Sequence, residues 1–110
     1  MTKKLIAVAA AGALTAGAVA GPSLGAASRT VQVKDNVFAP TSITVKRGTT
    51  VRWVWKGKAP HNVTVTKGPL RFHSKTQMKG SFSKRLTKTG TYTILCTIHA
   101  PNMKMTVKVR

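Results

Sequence analysis

Alternation at period two, sustained through most of the chain, limits the folds available to it more than any other feature. Val31 and Val33 alternate with Gln32 and Lys34, and Ile43 and Val45 with Thr44 and Lys46. Val51, Trp53 and Trp55 share one parity against Arg52 and Lys56. Val63 and Val65 alternate with Thr64 and Thr66, Phe82 and Leu86 mark a weaker run, and Tyr92, Ile94 and Cys96 form another. Met105, Val107 and Val109 close the series. Successive strand side chains point to opposite faces, so each run buries one face and wets the other. No stretch after residue 28 repeats at helical spacing.

Turn-forming pairs separate the runs: Asp35-Asn36, Arg47-Gly48, Lys56-Gly57, Gly68-Pro69, Lys79-Gly80 and Thr89-Gly90. Seven short strands spaced by turns predict an all-β, antiparallel β-sandwich, with 67–79 as its longest irregular segment. His61 has the parity of Val63 and Val65, so it faces inward as its strand begins. Cys96 faces inward as its strand ends, so side chains from both segments can meet at one end of the core.

The first 27 residues differ from the rest. A basic start, Thr2-Lys3-Lys4, precedes an apolar run from Leu5 to Ala20, and Gly21-Pro22-Ser23 breaks it. This is the pattern of a secretory signal peptide. Cleavage is expected after Ala27, where strand-like sequence follows, with Ala20 as the alternative; an uncleaved anchor is the competing reading. The expected product, residues 28–110, is one small domain with a modest core, exported to the periplasm or to the extracellular and cell-wall space. Exported domains of this size often carry disulfides, but Cys96 is the sole cysteine. A lone thiol outside the cell oxidises unless something occupies it, which favours a metal.

Nineteen Lys and Arg face one acid, Asp35. Loss of Lys3 and Lys4 leaves 17 bases against that acid, a net charge of +16. The bases are dispersed over nearly every segment, which suits transient, salt-dependent docking of acidic partners and contact with an anionic wall or membrane surface. A single carboxylate excludes two-carboxylate catalysis and carboxylate-rich calcium sites. The few aromatic residues offer no recognisable stacking platform for nucleic acid.

The segment CTIHAPNM places His99 three residues after Cys96 and Met103 four further on. With His61 these supply a thiolate, two imidazoles and a thioether. Copper uses two His and one Cys in a plane with a weak axial Met, whereas zinc prefers a tetrahedron without thioether. One loop then contributes three ligands and a distant strand end the fourth. Met105 competes with Met103 for the axial place, although its parity with Val107 and Val109 assigns it to the core. His73 reads as a solvated loop residue, Met78 as a rim residue, and Trp53 and Trp55 as core.

CTIHAPNMKMTVKV resembles the ligand loop and last strand of the small type-1 copper proteins, the plastocyanin and amicyanin group of cupredoxins. VRWVWKGKAPHNVTV resembles that family's upstream histidine segment, and FAPTSITVKRGTTVRW and GTYTILC fit its strands. The resemblance covers roughly residues 30–110 and implies a Greek-key sandwich holding one Cu(I)/Cu(II) ion through His61, Cys96, His99 and Met103. It also implies that Asn62 ties the two ligand loops together, with Thr97 beside it. Ala59, Pro60, Ala100 and Pro101 would form an apolar electron port around His99. The function expected is that of a monomeric one-electron carrier. A copper-delivery protein without electron transfer and a basic sandwich for anionic polymers are the alternatives. With all ligand positions filled, an enzyme is not expected.

Overall fold

The computed structural model describes residues 27–110; the signal peptide expected over 1–27 lies outside the described residues but for Ala27. Eight strands follow in order: β1 (Ser28–Lys34), β2 (Val37–Ala39), β3 (Ser42–Val45), β4 (Thr50–Trp55), β5 (Thr64–Lys67), β6 (Ser81–Arg85), β7 (Gly90–Leu95) and β8 (Lys104–Val109). They form two four-stranded sheets, β2-β1-β4-β6 and β3-β8-β7-β5. The expected sandwich is thus the architecture. The extra element is β2, three residues that turn back antiparallel on β1 through the Asp35-Asn36 turn. Asn36 takes φ 67° there, a left-handed conformation that its short polar side chain tolerates.

Each sheet is mixed. β1 runs parallel to β4 and β3 parallel to β8, while the remaining pairings are antiparallel. Alternation reports which face a strand buries but not the direction of its neighbour, so these two pairings were not legible in the residue pattern.

The alternating apolar sets face each other across the two sheets. Val31, Val33, Val51, Trp53 and Trp55 come from one, Ile43, Val45, Tyr92, Ile94, Met105, Val107 and Val109 from the other, and all are buried. Each such aliphatic or aromatic side chain contributes roughly 1.5–3 kcal/mol when withdrawn from water. Trp53 lies at the centre, with Phe72 at 6.1 Å and Phe82 at 5.9 Å between ring centroids. Its Nε1–H donates to Met105 Sδ at 3.3 Å, which satisfies the buried indole. The Tyr92 hydroxyl donates to the Lys88 carbonyl at 2.8 Å and closes the corner leading into β7.

Strand register brings distant segments to one end. Leu95 pairs with Lys104, so the loop 96–103 springs from adjacent strands, and Thr64 pairs with Leu95, which sets His61 and Asn62 beside that loop. In the other sheet Val33 pairs with Trp55, so the β1–β2 turn and the 56–61 segment emerge at the same end.

Candidate metal centre

Two segments build the site. The first precedes β5. His61 is held as an isolated bridge with Gln77: its N–H donates to the Gln77 carbonyl and its carbonyl accepts the Gln77 N–H, both at 3.0 Å. The same carbonyl accepts Trp55 Nε1–H at 3.2 Å. The His61 side chain is completely buried. The second segment is the loop after β7. Its N–H groups close it on itself: His99 to the Cys96 carbonyl at 3.1 Å, Met103 to the His99 carbonyl at 3.2 Å, and Cys96 to the Met103 carbonyl at 3.0 Å. Cys96 and Met103 are fully buried, while His99 is half-buried.

Asn62 joins the two. Its Nδ2 donates to Thr97 Oγ1 at 2.9 Å and to Thr76 Oγ1 at 3.1 Å, and its Oδ1 accepts the Thr97 N–H at 3.1 Å and the Thr64 hydroxyl at 2.9 Å. Two donors and two acceptor lone pairs are thereby used in full.

His61, Cys96 and His99 converge. The two Nδ1 atoms are 3.1 Å apart, and Cys96 Sγ lies 3.8 Å from that of His61 and 3.4 Å from that of His99. The circle through these three atoms has a radius of about 2.0 Å, close to the roughly 2.0–2.3 Å at which imidazole and thiolate bind a first-row metal. Two ring nitrogens and a sulfur thus surround a hole the size of one such ion. The donor set is soft and lacks oxygen, which fits copper rather than magnesium or calcium.

Met103 is buried at the end of the same loop, immediately before β8. Its competitor Met105 is engaged through sulfur with Trp53 in the core. Ala59 is half-buried, and Pro60, Ala100 and Pro101 are exposed. Ile98, half-exposed, adds a larger apolar side chain that the sequence analysis left out. His73 stays outside the cluster, exposed, with Nδ1 3.1 Å from the Ser74 carbonyl oxygen.

One further residue was missed. The carboxylate of Asp35 lies 3.0 Å from Nε2 of His61 and accepts the N–H groups of Lys58 at 3.0 Å and Ala59 at 2.9 Å. The His61 hydrogen bond, followed by those from Ala59 and Lys58, lowers its carboxyl pKa to about 2. The signal available was scarcity, since this is the one acid among nineteen bases.

Comparison with known proteins agrees with this site. The family of copper binding proteins that includes plastocyanin and azurin matches residues 26–110. The copper(I) form of a methionine-to-alanine mutant of amicyanin is 31% identical with a TM-score of 0.68, over 76% of this chain and 82% of that one. An oxidised methionine-to-leucine mutant of amicyanin is 29% identical with a TM-score of 0.68, over 74% and 81%. A copper-containing nitrite reductase from Thermus scotoductus is 28% identical with a TM-score of 0.66, over 76% of this chain but 22% of that enzyme. The fold and the His-Cys-His cluster together define a cupredoxin with one type-1 copper as cofactor. This chain belongs to the plastocyanin/azurin family of copper binding proteins.

Proposed function

We propose that the protein is an exported one-electron carrier, with His61, Cys96 and His99 as the planar ligands of its copper and Met103 as the axial one. The observation that carries this reading is the triangle of donor atoms, preset at the size of one ion by segments that hydrogen bonds hold in place. Bound copper supplies a Cu(II)/Cu(I) couple. The chain's part is to change little between the two states. Asn62 fixes the separation of the ligand segments, and the Gln77 and Trp55 contacts fix the backbone of His61. Met103 is favoured as the axial ligand because the sulfur of Met105 is committed to Trp53.

His99 is the planar ligand that approaches the surface. Around it Ile98, Pro60, Ala100 and Pro101 form an apolar rim on which a partner docks without buried ion pairs. The surrounding bases steer acidic redox partners, and the encounter is brief and weakened by salt. The same charge suits the space outside the cytoplasmic membrane, beside anionic polymers or lipid.

Voltammetry of the copper-loaded domain tests the proposal. A carrier gives a reversible one-electron wave, fast self-exchange and intense visible absorption that Cys96→Ser abolishes. Irreversible reduction with ready loss of Cu(I) to an acceptor protein would assign the chain to copper delivery instead.

A further inference from the structure

The sole acid of a strongly basic chain is placed against the ring of a buried ligand histidine. Asp35 sits in the β1–β2 turn, 26 residues before His61, and reaches it because β1 and β4 run parallel and end together. One of its oxygens, Oδ1, lies 3.0 Å from His61 Nε2 and accepts Lys58 N–H at 3.0 Å and Ala59 N–H at 2.9 Å. Oδ2 shares the Lys58 N–H at 3.1 Å. Gly57 leaves the room for this arrangement, since a Cβ there would lie 2.6 Å from Asp35 Cγ and 2.8 Å from Asp35 N.

We propose that Asp35 is a positioning residue for the copper centre, one that fixes the tautomer of His61 and lowers the reduction potential of the bound ion. The chemistry is direct. A carboxylate has no proton to give, so the contact requires the proton of neutral His61 on Nε2. The lone pair is then on Nδ1, the atom that points toward Cys96 and His99. Hydrogen bonding from the remote ring nitrogen to a carboxylate makes a ligand imidazole a stronger donor. A fixed negative charge behind that ring also favours the more positive oxidation state. Both effects stabilise Cu(II) over Cu(I). His99 has no such partner among the described residues, so the tuning acts through one ring.

This inference rests on the copper-site reading but not on electron transfer to any partner, and its first readout needs no copper. In the metal-free protein, at a pH where both rings are neutral, nitrogen NMR should show His61 protonated at Nε2. Protonation at Nδ1 instead would overturn the proposal. In the copper-loaded protein, Asp35→Asn removes the charge but keeps an acceptor oxygen. It should raise the potential and shift the ratio of Cu(I) to Cu(II) affinity several-fold, with the visible band kept. Gly57→Ala displaces the carboxylate without changing the protein's charge and should move the potential the same way. If both variants lose stability while the potential stays at its wild-type value, Asp35 only braces the loop and the proposal fails. Failure of the protein to bind copper at all would sink the copper-site reading while leaving the tautomer result to stand or fall separately.

Discussion

His61 and His99 present one nitrogen each to the same point, yet the structure treats them oppositely. His61 is sealed: its backbone is paired on both sides with Gln77, its carbonyl is capped by Trp55, and its far ring nitrogen is tied to Asp35. His99 belongs to a loop that bonds mainly to itself, and its ring approaches the surface between apolar neighbours. The first ligand is held by the β1–β2 turn, by Trp55 of β4 and by the segment between β5 and β6. The second is held by the loop 96–103 and by the clasp between Asn62 and Thr97. The contrast teaches that this centre divides its labour: one ligand fixes geometry, the other offers access.

The sharpest way to break that contrast is to remove each ring in turn. His99→Gly should leave a gap that added imidazole enters from solvent, restoring the visible band. His61→Gly should not recover, because the space it vacates is closed. Equal rescue of the two variants would show that access does not distinguish them. Next in size is the methionine pair. Met103→Leu should keep the colour and raise the reduction potential, whereas Met105→Leu should chiefly alter stability by loosening the Trp53 contact; the reverse pattern in voltammetry would exchange their roles. Asn62→Ala cuts the clasp and leaves Thr97 N–H without its partner. It should cost about 1–3 kcal/mol in denaturant titration and loosen the His99 side more than the His61 side. The smallest effect is expected from Trp55→Phe. Loss of the indole N–H to the His61 carbonyl should cost about 0.5–1.5 kcal/mol beyond any packing change, with the visible spectrum nearly unchanged because other bonds still hold that backbone.

Much of this arrangement was legible from particular residues. The parity of Val63 with His61, and of Ile94 with Cys96, places both side chains inward, and both are buried. The parity of Met105 with Val107 likewise assigned it to the core, where its sulfur meets Trp53. Three things were not legible. β2 is only three residues long, too short for alternation to register. Asp35 read as a turn former because its second role depends on β1 lying beside β4 in parallel, and strand direction leaves no mark on the residue pattern. Ile98 escaped for a related reason: it lies in a loop, where no parity predicts which way a side chain points.

Because Asp35 is spent on His61, no other carboxylate side chain is available to neutralise the lysines and arginines. Small anions from the surrounding medium must do so, which makes the ionic atmosphere a working component of the folded particle. Moderate salt should therefore raise its melting temperature by damping self-repulsion, even as it would slow the capture of an acidic partner of the kind proposed. Each docking event would release part of that anion cloud, so the strength of the encounter is set by the solution as much as by the surface.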